Sequence, residues 1–179
     1  IMFEVESLKY ATLATVSRCG MVWFSDDAVT PSMLYRNYLS TIRAVALDAT
    51  DEDALLDVPA RRTTDDADVS ANLATQRVIA ARLEEYFEED ALVPKALEYA
   101  ATVDHIMDFT AIRAITTLFS LLNKTIRNII EHNAQHADFP LQPEQVEAYV
   151  TKRLVVALVW AFTGDSKLDT RALMGSFLR

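Results

Sequence analysis

The sequence predicts a mainly α protein, an antiparallel helical bundle preceded by two short strand-length segments. Three observations predict it. Only three glycines occur in 179 residues, Gly20, Gly164 and Gly175, which leaves few tight turns and no glycine-rich loop to cradle a phosphate. Alanine and leucine are abundant, and both favour helix. From residue 30 onward, apolar residues recur at spacings of three and four, the signature of one buried helix face.

The two strand-length segments come first. Ile1 to Val5 is a short apolar run, and Cys19-Gly20-Met21-Val22-Trp23-Phe24 is a second one rich in β-formers. Glu6 to Ser17, between them, mixes helix and loop character. Two strands do not make a stable sheet alone, so their partners are expected before Ile1. The chain does not begin with Met and reads as part of something longer.

Thr30-Pro31 is a helix start, an N-cap followed by proline at the first helical position. Leu34, Tyr38, Ile42 and Val45 then mark one face. The pattern breaks over 48–70. That stretch holds eight acidic and two basic residues, so it carries −6 of the chain's net −9 and reads as a solvated acidic loop. Ser70 is placed as the cap of a second helix running to about Glu88, with Leu73, Ile79, Leu83 and Phe87 inward. Pro94 opens a shorter third helix carrying Leu97, Ala100 and Ala101. Thr110 caps the strongest helix, in which Ile112, Ile115, Leu118, Phe119, Leu122, Ile126, Ile129 and Ile130 share a face up to Asn133. Pro143 starts a helix that is nearly all apolar from Leu154 to Phe162 and is therefore central. Gly164 closes it in the left-handed manner of helix ends. Asp165 or Ser166 caps a last helix with Leu168, Leu173 and Phe177. The domain division predicted is 1–29 and 30–179.

Charge and cysteine content narrow the function. A chain of net charge −9 repels phosphate at long range, which argues against nucleic acid and anionic membranes as partners. A single cysteine, Cys19, excludes an internal disulfide and points to a reducing compartment. No apolar run approaches the ~18–20 residues that span a bilayer, and Ile1–Val5 has no basic flank of a secretory leader.

The chemical motifs are sparse. No GxxxxGK[ST], GxGxxG, GxSxG or CxxC is present. His132 and His136 are spaced to share a metal on one helix turn, but the glutamate of HExxH is absent and no third ligand follows, so a polar helix end is the favoured reading. His105 has Asp104 and Asp108 nearby and reads as a surface hydrogen bond. Arg18 lies just before the second strand, either as an ion pair or as a guanidinium projecting toward a neighbour's phosphate. Arg113 lies at the start of the long helix, either paired with Asp108 or Asp104 or in contact with a bound anion.

The run from Leu8 through Arg18 to Phe24, with His105-Ile106-Met107-Asp108 and Trp160-Ala161-Phe162-Thr163-Gly164-Asp165-Ser166, resembles the second AAA+ module of the motor ring in cytoplasmic dynein heavy chains. The likeness extends over essentially the whole chain, the acidic loop departing most. It implies that residues 1–29 end an AAA+ α/β domain, with Ile1–Val5 as the sensor I strand and Cys19–Phe24 as the last strand. It also implies that 30–179 form the helical AAA+ lid. Arg18 then matches the arginine finger, pointing in trans to nucleotide in the first module, and Arg113 is the sensor II candidate for the second module's own nucleotide. ATP or ADP with Mg²⁺ belongs to the intact motor. None is expected on these residues alone, because Walker A and Walker B lie outside them. The partners implied are adjoining AAA+ modules, a second heavy chain and accessory chains, in cytoplasmic, minus-end-directed transport along microtubules, without direct filament contact from this acidic segment. A free-standing helical adaptor is the alternative reading.

Overall fold

The computed structural model describes residues 8–18, 20, 22, 28–47 and 66–179. Among them are seven helices and no strand. The predicted strand Ile1–Val5 lies outside the described residues, as does Cys19–Phe24 apart from Gly20 and Val22. The chain divides into two compact units, Ile1–Thr30 and Pro31–Arg179.

In the first unit, α1 spans Leu13–Arg18. Thr12 starts it: its Oγ1 accepts the Thr15 backbone N–H at 3.2 Å, satisfying one of the free donors of a helix start. Tyr10 and Leu13 are 91% and 89% exposed.

The second unit is the bundle: α2 (Pro31–Ala44), α3 (Asp66–Phe87), α4 (Leu92–Ala101), α5 (Ala111–Gln135), α6 (Pro143–Thr163) and α7 (Leu168–Phe177). Helix α6 is central and packs against α3, α4, α5 and α7. Its apolar run places Leu154, Ala157, Leu158 and Phe162 in the core, while Val156 and Trp160 stay about half exposed. Opposite them, α5 buries Ile115, Leu118, Leu122, Ile126, Ile129 and Ile130. Each such side chain removed from water stabilises the fold by about 1.5–3 kcal/mol. The connection between α5 and α6 is pinned by the Asn133 side chain, whose Oδ1 accepts the Leu141 N–H at 2.9 Å. A capping box between Gln142 and Gln145 then starts α6.

Helix α2 packs on α3 and α5 through aromatic rings. Tyr38 stacks on Phe119 at 4.0 Å and 6°, and Tyr35 packs on Phe87 at 4.9 Å. The Tyr38 hydroxyl donates to Asn123 Oδ1 at 3.0 Å. Burial pushes the phenol of Tyr35 up to about 12 and that of Tyr38 higher still, because a phenolate there would be desolvated.

Several expectations are corrected. Helix α3 begins at Asp66, inside the stretch read as an acidic loop, whose residues 48–65 lie outside the described residues; local charge does not mark where a helix begins. Helix α4 starts at Leu92 rather than at Pro94, because proline is tolerated anywhere in the first turn, where amides lack partners. Ala101 is exposed. Thr110 is the N-cap of α5, as expected from the sequence, but makes no side-chain cap hydrogen bond. Ile112 is 52% exposed, because it lies to the side of the face that buries Ala114 and Ile115 in the same turn. Leu73 is only partly buried. In α7 the core residue is Met174, while Leu168, Leu173 and Phe177 are 74%, 58% and 42% exposed. A ten-residue helix resting on α6 and α4 buries a single line of contact. Gly164 is not left-handed, with φ −62° and ψ −31°; it is needed because a Cβ there would overlap the Trp160 carbonyl oxygen. Among the described residues the left-handed one is Asp90, φ 66°, in the turn from α3 to α4.

The most consequential polar contact in the core is Gln76. It is 0% exposed. Its Oε1 accepts the Leu47 N–H at 2.8 Å, and its Nε2 donates to the carbonyls of Ile42 at 2.8 Å and Val45 at 2.7 Å. One side chain of α3 thus terminates α2. Gln76→Ala would leave three main-chain groups without this partner, so it should destabilise the bundle by about 2–4 kcal/mol, against under ~1 kcal/mol for an exposed site such as Arg77→Ala. Urea unfolding of the two variants measures the difference.

Candidate functional site

The two arginines singled out from the sequence belong to different units. Arg18 is the last residue of α1 and is exposed. It therefore sits on a helix end, where a cation complements the partial negative charge of the terminal carbonyls, and the strand expected immediately after it falls mostly outside the described residues.

Arg113 lies in the first turn of α5, with its side chain 41% exposed. Its ion-pair partner is Asp165, Nη2 to Oδ2 at 3.9 Å, and not Asp104 or Asp108 as the local sequence suggested. Asp165 stands in the joint between α6 and α7. Its Oδ1 lies 2.9 Å from His105 Nδ1, and its Oδ2 accepts the Met107 N–H at 3.3 Å. His105 is not at the surface as expected: its ring is 6% exposed. Nε2 faces the Ala100 carbonyl at 2.8 Å, and the ring packs against Phe109 at 4.7 Å. Both ring nitrogens face acceptors, an arrangement that an imidazolium fills with two N–H donors and a neutral ring with one. Ser166 completes the cluster by donating to the Asp104 carbonyl at 3.0 Å.

Asp165 and Ser166 therefore do not cap α7. The N-cap residue is Lys167, which makes no side-chain cap bond. Their side chains instead fasten the connection between α4 and α5 to the joint between α6 and α7. No sequence spacing announces this. Asp165 lies 60 residues from His105, and the one available signal was a polar pair just after the apolar run Leu154–Phe162.

Asp165 is held below the ordinary carboxylate range. Partial burial pushes it up, but the His105 hydrogen bond, the Met107 amide and the His105 charge together outweigh that. His132 and His136 stack ring on ring at 4.3 Å, with His136 Nδ1 against the His132 carbonyl at 2.9 Å. Among the described residues no group of three His, Cys, Asp or Glu is placed to hold a metal ion.

This arrangement defines a helical module in which a partly exposed arginine, Arg113, lies 3.9 Å from a carboxylate that the His105 ring holds in place. The family model for the dynein heavy chain AAA lid domain matches residues 83–179, from the end of α3 through α7, a range that contains His105, Arg113 and Asp165. The chain belongs to that family. It is 53% identical over 175 residues, 98% of its length, to the cytoplasmic dynein heavy chain of Neurospora crassa. It is 48% identical over its full length to that of Drosophila melanogaster, and 38% identical over 212 aligned residues to that of Dictyostelium discoideum. The chain spans about 4% of the length of each of these relatives.

A carboxyl group whose folded-state pKa is depressed contributes stability that is complete above its unfolded value, near ~3.9, and is lost as pH falls through the folded value. Asp165→Asn should accordingly destabilise the bundle at pH 7, and the gap to wild type should close as pH drops below about 4. Urea midpoints at pH 7, 4 and 3 measure this; a gap of constant size would show that the charge of Asp165 is not what stabilises.

Proposed function

We propose that the chain is the end of one AAA+ α/β domain with its helical lid, in a dynein motor ring, and that it works on nucleotide held by others as well as on its own module's. In this reading Arg18 is an arginine finger presented in trans to the ATP site of the neighbouring module, and Arg113 is the sensor II residue of the module to which the lid belongs. The helices convert nucleotide state into rigid-body motion of adjoining modules, in cytoplasmic, ATP-driven, minus-end-directed transport along microtubules.

The observation that carries the reading is the AAA lid family match over 83–179, together with extensive identity to cytoplasmic dynein heavy chains. The exposure of Arg18 supports the finger role, since a guanidinium reaching another module must be free of its own core. The adaptor alternative called for Arg18 to be buried, and it is exposed. The Arg113 role is supported by its place at a helix start beside a single, long ion-pair contact.

Nucleotide with Mg²⁺ belongs to this reading only through contacts. The chain carries guanidinium groups suited to phosphate oxygens but no phosphate-cradling loop of its own, so ATP or ADP would be held by the intact ring. When bound, the nucleotide supplies the phosphoryl group whose charge Arg18 would neutralise. Adjoining modules of the same heavy chain are the immediate partners; a second heavy chain and accessory chains are partners of the whole motor.

A finger of this kind contributes ~10³–10⁵ in rate where it is the main source of charge neutralisation. In the full-length heavy chain, Arg18→Ala should therefore lower ATP turnover at least ~10²-fold with an unchanged thermal midpoint. Steady-state ATPase assays test this, and turnover at the wild-type level would remove the finger assignment.

A further inference from the structure

We propose that Asp165 is the positioning residue for Arg113: the lid fixes this carboxylate with His105 and the Met107 amide, and the fixed carboxylate sets the aim of the guanidinium. The inference rests on the reading that Arg113 faces nucleotide.

The geometry carries it. Asp165 meets the connection between α4 and α5 at two points, His105 Nδ1 on Oδ1 at 2.9 Å and the Met107 N–H on Oδ2 at 3.3 Å. Two donors on two oxygens fix the plane of the carboxylate, and the buried His105 ring is itself held by the Ala100 carbonyl at 2.8 Å. The remaining side of Oδ2 faces Arg113 Nη2 at 3.9 Å. That distance is too long for a hydrogen bond but short enough to bias the rotamers of a flexible cation. A bidentate pair would occupy the guanidinium fork. A single long contact, with Arg113 41% exposed, steers the group and leaves its N–H donors open to an anion.

The chain topology adds the consequence. Arg113 rides on α5, Asp165 on the joint between α6 and α7, and His105 on the connection from α4. A shift of α7 or of the end of α6 relative to α5 moves the carboxylate and redirects the guanidinium. Asp165 touches no nucleotide in this scheme; it acts through Arg113 alone.

The test is a double-mutant cycle in the full-length heavy chain, with the phosphate-binding loops of the other modules disabled and mant-ADP release from the lid's own module as the readout. Arg113→Ala should speed release by about 10–100-fold. Asp165→Asn should speed it by about 3–10-fold when Arg113 is present and have little effect in the Arg113→Ala background. A purely structural Asp165 would give the same factor in both backgrounds, which overturns the positioning role and leaves the Arg113 reading intact. Unchanged release in Arg113→Ala would overturn both. If Asp165→Asn does not accumulate as folded motor, His105→Gln, which keeps one of the two ring contacts, is scored in the same cycle and should show the same dependence on Arg113.

Discussion

The burial of α6 on several sides is the constraint from which the rest follows. A helix carrying Leu154, Ala157, Leu158 and Phe162 in the core is stable only when neighbours cover it. Helices α3, α4, α5 and α7 do so. That arrangement leaves little freedom in where the connections run. The connection from α4 to α5 must pass the far end of α6, which brings His105 against Asp165. The cluster around Arg113 is thus a by-product of core packing, fixed by hydrogen bonds once the apolar faces have met.

Several polar groups serve this core at its joints. Gln76 ends α2 by satisfying three main-chain groups at once. Asn133 holds the turn between α5 and α6. His105, Asp165 and Ser166 hold the other end. Gln76, Asp165 and Ser166 are bonded to groups about thirty to sixty residues away, Asn133 to one eight residues on, and each would be costly to leave unpaired. They specify how the helices end and turn, where hydrophobic burial alone is permissive.

The bundle has no catalytic constellation among its described residues; it offers long helices, a joint fastened by His105 and Asp165, and a partly exposed arginine. Its packed side chains have few alternative arrangements. The chain's family membership and its identity to cytoplasmic dynein heavy chains agree with such a part in a larger ring.

The helical class, the order of the main helices, the central place of α6 and most of the inward face of α5 were determined by the sequence alone. Those properties follow from local periodicity, N-cap residues and prolines, which act within a few residues of each other. The resemblance also placed Arg18 and Arg113. What only the tertiary structure decided was which partners these residues meet: Asp165 for Arg113 instead of Asp108, a buried niche for His105 instead of the surface, Met174 instead of Leu168 under α7, and Gln76 in the core. A glutamine on a helix looks like a surface residue until a second helix ends against it. The periodicity of a single helix states which residues share a face, but the face becomes core only as far as a neighbour reaches. Hydrogen-bond partners dozens of residues apart are chosen by that packing, and no local rule encodes them.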